Sequence, residues 1–337
     1  MPPSGYVPCM APDIRFGYAL SSEEHRPRDL VANARRAEVA GFDFAMISDH
    51  FHPWLDRQGQ SPFVWSVLGG IASSTERIAV GTGVTALSMR IHPAILAQAA
   101  ATVADMLPGR FWFGVGTGEN LNEHILGDAW PEHSRRAAML EEAVGLIRRL
   151  WTGDLIDHHG EAYHVSRARI YTIPEKLPPI LIAASGPETA KLAGRIGDGL
   201  ISTAPEREIV RAYGKKGPKL GQVTVCWART ESAARKTAME WWPTAAIPGD
   251  NSQELPLPSS FEALSALVTE EALAEQIACG PDPEVHVAKV RPYLEAGFDH
   301  VYIHQVGADQ AGFLTFADRE LLPRLGGKSS GRKRKTA

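Results

Sequence analysis

What most limits the possible folds of this chain is a rhythm. A short apolar run is followed by a longer segment with helical spacing, and the alternation repeats. The runs are Ile14–Tyr18, Phe42–Ser48, Ile78–Val84, Phe111–Val115, Ile180–Ala184, Gly199–Thr203, Gln222–Ala228 and His300–His304. They carry few charges, as strands buried on both faces do. Helical spacing fills Arg28–Ala40, Pro62–Ser74, Pro93–Leu107, Ser134–Trp151, Glu231–Trp242, Glu284–Glu295 and Gly312–Leu322, with a shorter helix ending at Ile196. Pro93 opens one of these, and Gly41 and Gly153 close two others. Strand–helix alternation predicts an α/β fold with a parallel sheet. Eight units over about 310 residues predict a (β/α)8 TIM barrel, whose usual size is about 250 residues. The surplus falls in two insertions, near 153–179 and 243–282, the first reading as a hairpin. A doubly wound open sheet would place a glycine fingerprint after the first strand. The chain has Ala19–Leu20–Ser21–Ser22–Glu23 there.

These patterns predict one barrel domain over 14–326, a flexible N-terminal extension over 1–13 and a basic, disordered tail over 327–337. The tail reads as a solubilising segment or, alternatively, as an arm for nucleic acid or another acidic partner. Hydrophobic residues make up 44% of the chain and charged residues 22%, enough to bury a large core. A formal charge of −4 argues against a nucleic-acid binder, which needs a basic field. No apolar run approaches the roughly 18 residues that would suggest a membrane span. Cys9, Cys226 and Cys279 lie far apart with no CxxC pair, which points to a reducing, cytoplasmic compartment and away from structural zinc.

In such a barrel, chemistry gathers at the C-terminal ends of the strands. The polar residues falling there are Glu23 after the first strand, Asp49 and His50 after the second, Glu119 after the fourth and His304 at the end of the eighth. Ser185–Gly186 follow the fifth strand at a helix start, and Thr203 ends the sixth. Carboxylates and imidazoles on one rim suit proton transfer. Alternatively, Asp49 and His50 are loop polars that only hold structure. A catalytic metal is not expected: there is no HExxH, and His50–Phe51–His52 lacks a third ligand at recognisable spacing. Ser185 has no nucleophile elbow and Cys279 no evident base, so covalent catalysis is not expected either. Gly114–Gly118 (GVGTG) matches no nucleotide fingerprint, but its glycines let backbone approach a flat ligand. Ser185–Gly186 offers helix N-terminal donors to a phosphate. Trp54 has two readings, a wall for a ring-binding pocket or a loop anchor.

Four segments carry a family pattern: SDHFHPW (Ser48–Trp54), RIAVGTGVTALSMRIHPAILAQAAAT (Arg77–Thr102), GRFWFGVGTGENLNE (Gly109–Glu123) and IAASGPETAKLAGRIGDGLIST (Ile182–Thr203). Together they resemble the coenzyme F420-dependent glucose-6-phosphate dehydrogenases of the luciferase-like superfamily, from about Phe16 to Leu325. The resemblance implies a luciferase-like (β/α)8 barrel, a homodimer, and a 5-deazaflavin at the barrel mouth exchanging a hydride with a small-molecule substrate. It implies that Asp49 touches the deazaflavin hydroxyl end and that a non-prolyl cis peptide at Gly83–Val84 backs the ring. Thr117, Gly118 and Asn122 would line the cofactor, and Ser185 and Gly186 would hold its phosphate tail. His50 would act as base on a substrate hydroxyl, Glu119 would serve the proton at ring N1, and Glu23 and Trp54 would position the substrate.

The chain also departs from that family. Members using a sugar phosphate carry a lysine after the sixth strand and a lysine and an arginine in the large insertion. Here Ala204–Pro205–Glu206 follows the sixth strand, and Ile247–Ala278 holds no Lys or Arg while containing Asp250, Glu254, Glu262, Glu270, Glu271 and Glu275. A phosphate dianion needs charge-assisted donors, so a neutral alcohol or ketone is expected instead. Gly83 and Ala86 also stand where hydroxyl side chains are expected. Two other readings remain at this stage: an FMN-dependent luciferase-like monooxygenase, and a cofactor-binding protein without turnover.

Overall fold

The computed structural model describes residues 14–247 and 251–326. The extension at 1–13, the tail at 327–337 and Asp250 lie outside the described residues. Eight parallel strands form the barrel: β1 (Arg15–Leu20), β2 (Phe44–Ile47), β3 (Ala79–Thr82), β4 (Phe111–Gly116), β5 (Ile180–Ala183), β6 (Gly199–Ser202), β7 (Lys219–Cys226) and β8 (His300–Gln305). Each pairs with its sequence neighbours, and β8 closes the cylinder on β1 with Phe16 opposite Val301 and Tyr18 opposite Ile303.

Helices α1 (Pro27–Ala40), α2 (Val64–Ser74), α3 (Pro93–Met106), α4 (His133–Leu150), α5 (Pro187–Ile196), α6 (Arg207–Tyr213), α7 (Glu231–Trp241), α8 (Pro283–Ala296) and α9 (Gln310–Phe316) surround it. Local chemistry explains several of their limits. Gly41 takes φ 95° after α1, and its N–H reaches the carbonyls of Ala37 and Glu38, an arrangement open to a residue without Cβ. At α3 the His92 side chain accepts from the Ala94 N–H, and Pro93 fills the first position.

The two-residue period of the strands divides the core in two. Phe44 and Met46 of β2, Leu181 of β5, Ile201 of β6, Leu220 of β7 and Tyr302 of β8 pack together as one cluster, plugging the cylinder. Ala45, Ile47, Ile180, Ile182, Val223, Val301 and Ile303 belong to the larger cluster shared with the helices. The plug closes the barrel at one level and leaves its C-terminal mouth open.

Two features interrupt the sequence rhythm. The first insertion contains the antiparallel pair Ile156–His159 and His164–Ala168. The second holds the short helices Asn251–Glu254, Pro258–Ser265 and Glu270–Gln276, then Ala278–Cys279, which pairs with the end of β7. The sequence expectation missed α6, the two-residue strand Thr85–Ala86 on β4 and the single-turn helix Asn120–Glu123. It also started β7 three residues late, because Lys219 and Gly221 break the apolar pattern. Beyond α9 the chain continues through a wide π-turn at Ala317–Leu321.

Gly17 of β1 is required by the plug: a Cβ there would collide with the Phe44 ring. Gly17→Ala should lower the urea midpoint, costing about 1–3 kcal/mol as overpacked cores do. Adding Phe44→Leu to that variant should recover part of the loss.

Candidate active site

The site is built where the strands end. After β1 the chain turns through Ser21, Ser22 and Glu23; after β2 it runs Ser48–Asp49–His50. The Glu23 carboxylate is buried and accepts hydrogen bonds from Ser21 Oγ (2.9 Å) and Ser48 Oγ (2.8 Å) on Oε2. Its Oε1 stands 2.9 Å from Nδ1 of His50. On the other side of the imidazole, Nε2 lies 3.8 Å from Oε2 of Glu119, which caps the turn Asn120–Glu123. The ring of Trp54 meets His50 edge-on at 5.1 Å between centroids, and Phe261 of the second insertion meets Trp54 at 5.2 Å.

Burial opposes charge on both members of the His50–Glu23 pair, yet their mutual attraction outweighs it. For His50, burial pulls the pKa down, while the Glu23 carboxylate, its hydrogen bond and then Glu119 push it up to about 9. For Glu23, burial pushes up, and the His50 charge together with hydrogen bonds from His50 and Ser48 brings it to about 2. The pair is therefore ionised at neutral pH. This refines the expectation of His50 as a base: in this state the imidazolium is an acid, and it becomes a base only by losing its proton.

A second charged group lies beneath. Arg90 donates to Asp49 Oδ1 (2.9 Å) and to Glu123 Oε1 (3.3 Å). The other Asp49 oxygen accepts from Thr85 Oγ1 at 2.7 Å. Glu123 Oε2 accepts from Ser88 Oγ and from the N–H groups of Met89 and Arg90. Both carboxylates have fully buried side chains. Sequence reading missed Arg90 and Glu123, although both fall inside the quoted family segments. A lone arginine in the apolar stretch after β3 was the available signal.

Between these groups the mouth encloses a cavity of about 380 Å³, within the usual range for small-molecule sites. Glu23, His50, Trp54, Gly83, Val84, Thr117, Gly118, Glu119 and Ser185 all reach its wall. Of the other expected site residues, Asp49, Asn122 and Gly186 are not on the wall. Asp49 is held by Thr85 and Arg90. Asn122 Oδ1 accepts from the N–H groups of Phe51 and His52 and so shapes the loop after β2. Gly186 caps α5 next to Ser185. The Gly83–Val84 peptide is cis. Among the described residues no cluster of three or more His, Cys, Asp or Glu could hold a metal ion, and no helix is long and apolar enough to cross a membrane.

The wall carries small residues, which leave room for a flat ring, and two of its glycines are also required by packing within the protein. A Cβ on Gly116 would come within 3.1 Å of Val84 Cγ2, and one on Gly118 (φ 81°) within 3.0 Å of Ala86 Cβ. Ala19, Ala183 and Ala184 continue this surface of small side chains.

Two consequences can be measured. Glu23→Gln removes the larger attraction but leaves the burial and Glu119, so His50 should titrate well below 9, read by imidazole NMR. Arg90→Ala leaves two buried carboxylates without their cation and should cost about 3–5 kcal/mol of stability in denaturant titrations.

Residues 13–300 match the model of the luciferase-like monooxygenase family. The F420-dependent glucose-6-phosphate dehydrogenase of Nakamurella multipartita is 39% identical, over 93% of this chain and 97% of its own length. That of Nocardia farcinica is 37% identical, over 93% and 98%. Among solved structures, an F420-dependent secondary alcohol dehydrogenase in complex with an F420-acetone adduct superposes with a TM-score of 0.84 at 29% identity, covering 92% of this chain and 98% of that one. With a family model spanning most of its length and relatives aligned almost end to end, the chain belongs to the luciferase-like family, beside its F420-dependent dehydrogenases.

Proposed function

We propose that this protein is an F420-dependent oxidoreductase acting between an alcohol and its carbonyl compound, on a small substrate without a phosphate. The observation that carries this reading is the Glu23–His50–Glu119 series on one wall of a cavity shaped by Gly83, Gly116 and Gly118. F420 and the enzyme class are supported by relatives that are F420-dependent dehydrogenases by name. When bound, the deazaflavin supplies a two-electron hydride acceptor or donor.

The protein's part is to hold the group and to move protons. Val84, Thr117 and Gly118 would contact the ring, with Gly83 giving it room. Ser185, at the start of α5, would meet the phosphate tail beside the Gly186 cap. Asp49 and Asn122 would act from behind the wall by fixing the loops. His50 Nε2 takes the hydroxyl proton in oxidation and returns it to the carbonyl oxygen in reduction. Glu23 keeps Nδ1 protonated, so only Nε2 exchanges. Glu119, across the imidazole from Glu23, would supply or receive the proton at ring N1. Trp54 and Phe261 keep water from the reacting carbon.

The wall also speaks to the substrate. The second insertion contributes Thr244, Ala245, Ile247, Ser252, Gln253 and Phe261, all neutral, with Trp242 just before it. Two cations that reach this insertion are already paired, Arg57 with Glu262 (3.1 Å) and Arg136 with Glu254 (3.2 Å). Among the described residues no Lys or Arg belongs to the wall, so a phosphate dianion would find no guanidinium or ammonium donor there. The reading includes one barrel domain over 14–326 and a cytoplasmic homodimer, the latter checked by sedimentation.

Deazaflavin fluorescence should fall on titration with the protein, while FMN binds at least tenfold more weakly. A simple secondary alcohol should reduce F420 faster than glucose 6-phosphate does. Tight FMN binding without F420 binding would falsify the cofactor assignment. Oxidation needs neutral His50, so its kcat/KM should climb about tenfold per pH unit and level off near the free enzyme's value of about 9. Carbonyl reduction needs the imidazolium and should decline above that pH. His50→Gln should lower kcat by about 10²–10⁴-fold.

A further inference from the structure

Glu23 is followed by Glu24, and the two carboxylates serve different imidazoles. β1 lies between β2 and β8 in the barrel. Glu23 reaches His50 on the β2 side. Glu24 reaches His304 at the end of β8, with Oε2 3.3 Å from Nε2, while Glu24 Oε1 accepts the Gly307 N–H at 2.9 Å. Both side chains are almost fully buried, at 3% and 1% exposure. Trp242, at the end of α7, packs edge-on against the His304 ring at 4.4 Å.

Two observations at His304 point to a ligand. It forms part of the wall of the same cavity as His50. Its Nδ1 is buried and has no hydrogen-bond partner among the described residues. A buried polar atom without a partner is costly, and nothing in the proton path from Glu23 to Glu119 uses this one.

We propose that His304, oriented by Glu24, hydrogen-bonds a second hydroxyl of the substrate, so that the enzyme favours diols or polyols over alcohols with a single hydroxyl. This rests on the oxidoreductase reading above and names its substrate class. The carboxylate beside Nε2 keeps the proton on that nitrogen, leaving Nδ1 as an acceptor in the neutral ring and a donor in the charged one. A hydroxyl is both donor and acceptor and pairs with Nδ1 in either state. A carbonyl pairs in only one, and a methyl group in neither. Glu24 is a positioning residue, acting through the imidazole.

The test compares 2-butanol with 1,3-butanediol and 2,3-butanediol, and cyclohexanol with 1,2-cyclohexanediol, using F420-loaded enzyme. At least one diol should exceed its partner tenfold or more in kcat/KM, with most of the gain in KM. His304→Phe should bring that ratio close to one. His304→Gln, whose amide can still bond a hydroxyl, should keep part of it. Glu24→Gln should raise KM for the diol more than it lowers kcat. Fluorescence quenching of F420 by each variant reports whether the fold and cofactor site survive. Where a variant fails that control, nitrogen NMR of wild-type His304 decides: Nδ1 should shift on adding the diol and stay still with the single alcohol. Diols and alcohols within twofold of each other, or an Nδ1 signal unmoved by diol, would overturn the proposal. F420 binding without turnover of any alcohol or diol would instead overturn the oxidoreductase reading, and the NMR shift would still decide the His304 contact.

Discussion

Arg90 links the loops on which the site is built. One guanidinium joins Asp49, at the end of β2, to Glu123, in the turn after β4, and Arg90 itself follows β3. Three consecutive strand ends are thereby fixed to one another below the cavity. Two buried carboxylates against one cation leave an excess negative charge, and burying such a charge is costly unless other donors meet it. Here they do: the hydroxyls of Thr85 and Ser88 and the N–H groups of Met89 and Arg90 complete the shell. The geometry above depends on this shell. His50 is the residue after Asp49, Glu119 is four residues before Glu123, and the cis peptide lies just before Thr85.

With the strand ends held, the proton chemistry follows from charge balance. His50 stands between one fully buried acid and one that is partly open to the cavity. The buried acid is saturated by serine hydroxyls and the imidazole, so it orients the ring and keeps it charged. The partly open acid accepts from Asn122 Nδ2 at 3.3 Å and lies on the cavity wall. The two carboxylates sit in different surroundings, although their residue type is the same.

Much of this was legible in the sequence, and the limits of that reading have physical causes. Apolar runs separated by helical spacing showed the barrel, because parallel strands are buried on both faces and carry their pattern openly. The rim residues Glu23, His50 and Glu119 could be found because the fold puts strand ends at one mouth. Helix α6 escaped, since at seven residues it is too short to display a clear period. The Arg90–Glu123 contact escaped because it joins loops distant in sequence, and pairing across such distances leaves no local pattern. For the same reason the partners of Asp49 stayed hidden: its position after β2 is evident, but Thr85 and Arg90 lie on another loop. The pairing of His304 with Glu24 required the closure of β8 on β1 before it could be seen.

Specificity and chemistry have separate supports in this molecule. The Glu23–His50–Glu119 series stands on strand ends and on short loops tied by buried charges. The neutral part of the wall stands on the second insertion, which meets the rest of the molecule through Arg57 to Glu262, Arg136 to Glu254, Asn120 to the Glu254 carbonyl, Trp54 against Phe261 and the pairing of Ala278–Cys279 with β7. Loops over a rigid barrel can change composition without moving the strand ends beneath them. The absence of Lys and Arg from Ile247–Ala278 therefore changes the charge offered to a substrate while the Glu23–His50–Glu119 series keeps its geometry. His304 belongs to the barrel, but Trp242 against its ring caps α7 and leads straight into the insertion. At that contact, a change in the insertion would act through Trp242 on a barrel imidazole.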